Sequence, residues 1–389
     1  MKYRKLKGDK IFDGYELQDD KVLIVNDGGI VEDLVQISEA GEGVEYYKDI
    51  LSPAFINCHC HLELSHMKDL IPEKTGLVDF VYQIINGRHH PKEEIEEAIK
   101  NAELEMYNNG IIAVGDICND SATLAQKQNR KIKYYNFIEV LGWLPSVAQS
   151  RFDKAREMYD LFASQTSATR NHNSVVPHAS YSVSGDLWHQ IQPYFKNKVV
   201  SIHNQETIFE DDFFKVGKGD FVRMYELMKI DNTHHKPTNK SSLQSYFHYL
   251  TEAKNIILVH NTFITQNDLD YIRDAHHYNS FNTFFCLCIN ANQYIEDALP
   301  PVDLLINNNC DIVLGTDSLA SNRSLSIADE IKTIHKFFPA VTINELLKWA
   351  TINGARALNM HDQLGSFESG KKPGVIQFDA NNFIAKRIV

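Results

Sequence analysis

Two patterns of hydrophobic and polar residues divide the chain. Residues 1–50 contain short apolar segments separated by Gly and Asp turns, which predicts β structure without helices. From residue 51 onwards, short apolar runs alternate with longer segments of helical period. The segment 92–109 is typical, because its apolar residues recur on one helix face and Gly110 follows in the stop position.

The apolar runs after residue 50 predict eight strands, at 51–56, 111–115, 131–140, 174–182, 199–203, 256–260, 281–288 and 311–315. The predicted helices lie at 92–109, 121–129, 149–163, 186–195, 266–275, 301–308, 327–338 and 343–358, with a long and mostly helical insertion at 208–253. Such alternation predicts an α/β protein with a parallel sheet, and eight units close into a (β/α)₈ TIM barrel. An open doubly wound sheet is the competing architecture, but no Gly-x-Gly-x-x-Gly follows a strand.

The C-terminal segment returns to turn-rich β character. We therefore predict three parts, namely residues 1–50, a barrel over 51–362, and residues 363–389. The two terminal segments flank the barrel, and we predict that they pair into one small β-sandwich domain.

Composition narrows the classes of protein. Over 389 residues, 43% hydrophobic and 23% charged residues are typical of a soluble globular protein. A net charge of −12 argues against nucleic acid or an anionic membrane as a partner. We find no signal peptide and no apolar run that approaches the ~20 residues needed to cross a membrane. Six cysteines do not resemble a disulfide framework, so we expect a cytoplasmic protein, which could form a homo-oligomer.

Candidate chemistry begins at the end of the first predicted strand. Because side chains alternate along a strand, His59 and His61 point to one face and Cys58 and Cys60 to the other. Two imidazoles on one face form a pair of potential metal ligands. Two ordinary histidines are the alternative, so the pair needs further ligands elsewhere to support a metal site.

The other predicted strands also end in polar residues, and in a barrel these ends meet at one mouth. In strand order they are His59 and His61, Asp116, Glu139, His178, His203 with Glu206, His260, Asn290 with Asn292, and Asp317. Metal-ligand and acid–base residue types dominate this set, so we predict a catalytic rim.

Several members of the rim have a structural alternative. We expect Asp116 to cap the following helix and Glu139 to be structural. His178 could be a core histidine, although a pocket role is favoured. Asp317 could also be a helix cap, but its position beside the first strand of a closed barrel favours a ligand.

Other polar residues are expected to lie outside the site. Cys58 and Cys60 could form a thiolate zinc site with Cys286 and Cys288, but packing as small hydrophobic residues is favoured. The pair 234–235, both histidine, lies in polar sequence and is expected to be solvated. The surrounding insertion, 208–253, could form a lid.

Short motifs at the strand ends are similar to those of a known family. They are Pro53-x-x-Ile56-Asn57-x-His59-x-His61-Leu62-Glu63, Pro177-His178-Ala179-x-Tyr181-Ser182, His203-x-x-Glu206, Val259-His260 and Gly315-Thr316-Asp317-Ser318. The set resembles the amidohydrolase superfamily, and within it the mononuclear-metal deaminases of S-adenosylhomocysteine, guanine and aminodeoxyfutalosine, and the triazine chlorohydrolases. The resemblance covers essentially the whole chain.

The resemblance implies a cofactor and site roles. It implies one divalent metal ion, zinc or alternatively iron, with the ligands His59, His61, His203 and Asp317. Binuclear relatives usually place a lysine at the end of strand four, and residues 175–178 contain none, so one metal is expected. The implied catalytic residues are Glu206, which protonates the substrate ring, His260, which orients the hydroxide, and Asp317, which moves the proton of the water. The implied substrate contacts are His178, Tyr181 and Glu206.

The implied substrate is a small N-heterocycle, and the implied reaction is hydrolytic deamination of an aminopurine nucleoside derivative, as in aminodeoxyfutalosine deaminases. The chain departs from the family at Ser180, where proline is frequent, and at 288–292, where Cys-Pro-x-Ser-Asn is frequent. These departures affect the pocket wall. Hydrolysis of an amide or C–Cl bond therefore stays open, as does a scaffold that kept the barrel without activity.

Overall fold

The computed structural model describes residues 3–169 and 172–389, so residues 1–2 of the predicted N-terminal β segment lie outside the described part. The strands are β1 Tyr3–Lys7, β2 Lys10–Phe12, β3 Leu17–Gln18, β4 Lys21–Asn26, β5 Val31–Gln36, β6 Val44–Tyr46, β7 Ile50–Pro53, β8 Phe55–Cys60, β9 Ile111–Cys118, β10 Lys133–Val140, β11 His172–Pro177, β12 Val199–Asn204, β13 Asn255–His260, β14 Asn282–Leu287, β15 Asp311–Leu314, β16 Val375–Asp379 and β17 Ile384–Arg387.

The helices alternate with the strands from β8 onwards. They are α1 Leu77–Gly87, α2 Lys92–Asn108, α3 Leu124–Lys127, α4 Ala148–Thr169, α5 Gly185–Ile191, α6 Phe209–Val216, α7 Asp220–Leu227, α8 Ser242–Tyr246, α9 Gln266–His276, α10 Ile289–Glu296, α11 Val302–Asn307, α12 Ile327–Phe337, α13 Ile343–Lys348 and α14 Gly354–Ala357. The α/β alternation predicted from the sequence is therefore present.

The terminal segments form two sheets. One has the strand order β5-β4-β1-β6, and the other has the order β17-β16-β7-β2-β3. In the second sheet β16 pairs antiparallel with β7, with Val375 opposite Pro53. One apolar cluster draws residues from both sheets, namely Leu6, Ile11, Leu23, Val25, Val31, Leu51, Phe367 and Val375. The two ends of the chain thus pair with each other.

The predicted strand over 51–56 is wrong in one respect, because this run is divided between two sheets. β7 ends at Pro53, which has no N–H to donate, and β8 begins at Phe55. Phe55 N donates to Gly110 O at 2.9 Å and so pairs with the segment before β9. A continuous apolar run does not show where the pairing partner changes.

The polar residues that the sequence predicts at strand ends lie at or just after the ends of eight parallel strands. These strands form two sheets with the orders β11-β10-β9-β8 and β12-β13-β14-β15. At one seam Asp317 N donates to His59 O at 3.1 Å, and Cys60 bridges to Asp317. At the other seam His203 N donates to His178 O at 3.0 Å. These contacts bring the C-terminal ends of both sheets together.

The predicted helices differ from the observed ones in several places. The sequence does not predict α1 or α10, and the insertion 208–253 is less continuous than expected. Gly217 and Gly219 take positive φ values between α6 and α7, and residues 228–241 lie outside helices. The last predicted helix, 343–358, is divided by a π-helical segment between α13 and α14.

A cluster of apolar side chains covers the strand ends. We call it the strand-end cluster, and its buried members are Leu64, Met67, Ile71, Leu77, Val78, Phe80, Trp143, Ala179, Tyr181, Phe213, Phe214, Phe221, Met224, Tyr225, Ile295 and Ala320. Every member lies in a segment that follows one of the eight strands. The insertion after β12 supplies five of them, so it folds back over the mouth. Within the described part of the chain, each helix is too short or too polar to span a membrane.

Candidate active site

Four buried side chains converge where the two parallel sheets meet. They are His59, His61, His203 and Asp317, and their ligand-type atoms lie within 4.8 Å of one another. The Nε2 atoms of His61 and His203 are 3.2 Å apart. The Asp317 Oδ1 atom lies 3.5 Å from His59 Nε2 and 3.4 Å from His61 Nε2. His59 and His61 both belong to this group, as expected from the alternation of side chains at the end of the first predicted strand.

The electrostatics of the cluster favour the neutral form of His61 and His203 and the ionised form of Asp317. Burial lowers the pKa of His61 to about 3 and holds that of His203 well below its usual range. For Asp317, burial alone would raise the pKa, but the neighbouring imidazoles of His59 and His61 lower it below its usual range. Neutral imidazole and carboxylate are the protonation states that bind a metal cation.

The donors in this cluster fit a divalent cation. His59 is fully buried, and neither of its ring nitrogens has a hydrogen-bond partner among residues 3–169 and 172–389. A buried polar atom without a partner costs roughly 1–3 kcal/mol. Three imidazole nitrogens and one carboxylate oxygen are a ligand set that zinc accepts, and a cation would satisfy one of the two His59 nitrogens.

Neighbouring residues hold Asp317 in place. Its Oδ2 accepts a hydrogen bond from Ser321 Oγ at 2.5 Å, and its backbone has a φ of 58°. Such a φ is uncommon outside glycine and clusters at functional sites. The preceding Thr316 donates its N–H to Asn57 Oδ1 at 3.1 Å. The eighth strand end is therefore tied to the first.

Glu206 and His260 form a second pair at the edge of the cluster. Glu206 Oε1 lies 3.6 Å from His260 Nε2, which has no hydrogen-bond partner in the described chain. Burial raises the pKa of Glu206 well above its usual value, and the charges of Asp317 and Glu210 raise it further. Burial lowers the pKa of His260 to about 4. The pair thus combines a carboxyl group whose pKa is raised with an imidazole whose pKa is lowered.

His178 and Tyr181 lie on the adjoining side of the cluster. The His178 ring is 4.7 Å from that of His203, and its Nδ1 is 2.8 Å from Ser182 Oγ. Tyr181 is buried, and its ring lies edge-on to His178 and stacks on Phe221 of the insertion at 4.1 Å. The residues for which the resemblance implies metal-binding, catalytic or substrate-binding roles therefore lie close together.

Asp116 is not a cap of the following helix, and that prediction is wrong. Its Oδ1 accepts the backbone N–H of Leu62 at 2.9 Å, directly after His61. Its Oδ2 pairs with Lys127 Nζ at 2.5 Å, and both side chains are buried. Lys127 also donates to Asn136 Oδ1 at 2.8 Å. The helix starts at Leu124, too far along the chain for Asp116 to reach its first turn.

Lys127→Met should destabilise the fold, because it leaves the Asp116 carboxylate buried without a counter-charge. We expect a loss of about 3–5 kcal/mol in the free energy of unfolding, measured by urea denaturation. The double variant Asp116→Asn with Lys127→Met should recover much of this loss, and Lys154→Met on the exposed surface should change little. If Lys127→Met and the wild type had the same midpoint of urea unfolding, this account would be contradicted.

Two other predictions were tested by the packing. His234 and His235 are half-buried rather than fully solvated, because both rings contact Trp143 at 5.1 and 5.4 Å, and His235 stacks on Phe213 at 4.1 Å. Their polar sequence context does not show that the insertion folds back. Among the described residues, two groups of three or more potential metal ligands occur, and neither includes a cysteine. Burial raises the pKa of the Cys58 thiol, as expected for packed thiols.

Sequence analysis missed the residues that orient the predicted ones. Asn292 Oδ1 lies 2.7 Å from His260 Nδ1, which directs the other ring nitrogen towards Glu206. Ser321 and Asn57 orient Asp317 and its strand end. Asn292 carried a signal, since it stood among the polar residues after the seventh strand, but its position on α10 was not predicted.

Comparison with known proteins places these features in a family. A sequence profile described as "Amidohydrolase family" matches residues 50–387. The chain is 24% identical over 348 residues to an adenosine deaminase of Helicobacter pylori, covering 88% of this chain and 81% of the relative. It is also 24% identical over 351 residues to a 5-methylthioadenosine/S-adenosylhomocysteine deaminase of Teredinibacter turnerae, covering 86% and 72%.

Solved structures share the fold. The aminofutalosine deaminase of Helicobacter pylori in complex with methylthio-coformycin aligns with a TM-score of 0.82 at 20% identity, covering 97% of this chain and 92% of that one. An adenosine deaminase from Xanthomonas campestris with bound zinc aligns with a TM-score of 0.72 at 18% identity, covering 97% and 85%. The resemblance seen in the motifs is confirmed. The chain belongs to the amidohydrolase family.

Proposed function

We propose that the protein is a metal-dependent hydrolase that deaminates an aminopurine nucleoside of the adenosine class. The observation that carries this proposal is the pairing of four convergent metal-ligand side chains with a buried Glu206 at their edge, whose pKa is raised by burial. The names of the relatives, which are deaminases of adenosine, 5-methylthioadenosine and 5'-deoxyadenosine, support it.

His59, His61, His203 and Asp317 would hold the cation, and we propose one zinc ion, with iron as an alternative. A bound divalent cation lowers the pKa of a coordinated water to around 7 and so supplies a nucleophile near neutral pH. The partnerless nitrogens of His59 support this assignment. Structural neighbours containing zinc, among them an atrazine chlorohydrolase of Arthrobacter aurescens, support zinc in particular.

The protein side chains would move the protons. Asp317 accepts a proton from the attacking water and passes it to the departing amino group, which leaves as ammonia. Glu206 donates its proton to the ring nitrogen beside the attacked carbon, which makes that carbon more electrophilic. His260 orients the nucleophile through its free Nε2. A C–O bond forms and the C–N bond breaks, and the proton of the new hydroxyl group returns to Glu206 as the carbonyl forms. The net change is amidine plus water to carbonyl plus ammonia.

The surrounding residues would bind and enclose the substrate. His178 and Tyr181 offer an imidazole and an aromatic ring beside the cluster. Tyr181 is in turn held by the insertion, because the Tyr225 hydroxyl donates to its carbonyl oxygen and Phe221 stacks on its ring. The site residues are buried in this state, so we propose that the insertion 208–253 opens as a lid.

The finer architecture belongs to the same proposal. We infer that the two parallel four-stranded sheets form one closed (β/α)₈ barrel, because backbone hydrogen bonds join them at both seams. We also infer that the two terminal sheets pack as a β-sandwich, because one apolar cluster draws on both. The predicted divisions at 1–50, 51–362 and 363–389 remain predictions, and β7 crosses the first of them.

Removal of the metal should abolish the activity and its return should restore it. We expect purified protein to carry about one equivalent of zinc or iron and to release ammonia from adenosine, 5-methylthioadenosine or 5'-deoxyadenosine. Treatment with a chelator should remove both the metal and the activity, and added zinc should restore the activity.

Assays with other substrates distinguish the proposed deaminase from the alternatives. Chloride release from a chlorotriazine without ammonia from any nucleoside would favour C–Cl hydrolysis and contradict the proposal. Protein that carries metal but acts on none of the nucleosides, heterocycles or amides would favour the scaffold alternative. Ammonia release that is unchanged in metal-free protein would contradict the assigned role of the cluster.

A further inference from the structure

Glu139 carries a buried carboxylate oxygen that the proposed mechanism does not use. Its side chain is 2% exposed at the end of β10, and its Oε2 accepts a hydrogen bond from Asn119 Nδ2 at 2.8 Å. The other oxygen, Oε1, has no hydrogen-bond partner among the described residues. Oε2 therefore has a hydrogen-bond partner, and Oε1 is an open oxygen without one.

The open oxygen faces the active site. The ligand-type atoms of Glu139, His178 and His203 lie within 4.8 Å of one another. Glu139 therefore lies beside the metal-ligand cluster, on the side of His178. Two neighbours of Glu139, His178 and Asn119, are half-buried rather than buried, so this side of the cluster is partly open to solvent.

A second cation does not explain this oxygen. Such a cation would need a nitrogen of His203, but His203 Nδ1 is 2.9 Å from the carbonyl oxygen of His178. His203 Nε2 faces His61 Nε2 within the first cluster. Both ring nitrogens of His203 therefore have a role already. The distance of 3.7 Å from Oε1 to His203 Nδ1 is also too long for a hydrogen bond.

Two other partnerless atoms near Glu139 have a proposed partner. The cation would satisfy one ring nitrogen of His59, and the nucleophile would satisfy His260 Nε2. A buried carboxylate oxygen accepts hydrogen bonds and is costly when it has none. A donor that arrives with the substrate would supply the missing partner.

We propose that Glu139 accepts a hydrogen bond from a sugar hydroxyl of the nucleoside and so selects ribonucleosides over their deoxy analogues. This rests on the proposed function, in which the amino group of the base lies at the reaction centre and its ring nitrogen at Glu206. The remaining donors of an adenosine are its sugar hydroxyls. Asn119 holds the carboxylate in the orientation that receives them.

The test compares Glu139→Gln with the wild type on three nucleosides. The zinc-loaded proteins are assayed for ammonia release from adenosine, 2′-deoxyadenosine and 3′-deoxyadenosine. We expect the wild type to prefer adenosine over at least one deoxy analogue by about 10- to 100-fold in kcat/KM, because the deoxy analogue leaves a buried oxygen of Glu139 without a partner. Glu139→Gln should lose this preference, mainly through KM, while its rate on that deoxy analogue changes little.

Glu103→Gln is the matched control, because Glu103 is buried but contacts Tyr134 and Gln126 away from the site. It should keep the wild-type preference. A wild type without any preference would overturn the role of Glu139, as would an equal fall on all three nucleosides. Loss of bound zinc in Glu139→Gln would also overturn it, since Glu139 would then support the cluster. Absence of ammonia from every nucleoside with the wild type would instead overturn the proposed function, and this inference with it.

Discussion

Asp317→Asn should lower kcat for ammonia release by about 10²- to 10⁴-fold, the contribution typical of a general acid–base residue. Asparagine has nearly the same shape and can still accept the hydrogen bond from Ser321 Oγ, so the strand end should keep its conformation. What it lacks is the negative charge that the His59 and His61 imidazoles stabilise at 3.5 and 3.4 Å. Without that charge it cannot take a proton from water or pass one to ammonia.

The measurement is kcat at saturating nucleoside and saturating zinc, together with bound metal and a urea unfolding curve. Asp311→Asn is the matched control, because Asp311 lies at the other end of the same strand, away from the catalytic mouth. It should keep wild-type kcat. If Asp317→Asn retained zinc and turned over at the wild-type rate, the proton-transfer role of Asp317 would be lost.

The strand ends show why so much of the site could be predicted. Side-chain alternation placed His59 and His61 on one face, and the position of Asp317 after the last strand brought it beside the first. Both results follow from the geometry of strands and barrels, and they do not depend on how distant parts of the chain pack. The same reasoning succeeded for His203 and His260, each at the end of an apolar run.

The predictions that failed concern residues whose partners are distant in sequence. Asp116 was expected to act locally as a cap, but its partners are Leu62, more than fifty residues earlier, and Lys127. His234 and His235 lie in a polar stretch whose contact with Trp143 depends on how the insertion folds back. Sequence pattern reports which face of an element is apolar, and it does not report which surface that face will meet.

The orienting residues were missed for a related reason. Asn292 acts on His260 from a helix that begins directly after β14, where the sequence indicated only polar residues. The open oxygen of Glu139 could not be foreseen either, because it is recognised by the lack of a partner in the described structure. Such positions are defined by the set of contacts around them rather than by spacing.

Glu206→Gln is expected to lower kcat by about 10²- to 10⁴-fold, with bound zinc unchanged. Glutamine can still donate a hydrogen bond to the ring nitrogen of the base, so substrate binding and KM should change less than kcat. It cannot transfer a proton, and the attacked carbon therefore stays less electrophilic. Glu103→Gln is the control for removing a buried carboxyl group outside the site, and it should retain wild-type kcat.

The pH dependence provides a readout that a purely structural role of Glu206 would not produce. Burial raises the pKa of Glu206, so its acid form is lost only as the pH rises through that raised value. Wild-type kcat should therefore fall on the alkaline side, and this fall should be missing from the residual activity of Glu206→Gln. If the variant kept both the wild-type kcat and the alkaline fall, proton donation would have to come from another group. His260 is poorly suited to that role, because burial holds its pKa at about 4 and leaves its imidazole neutral wherever the enzyme would need an acid.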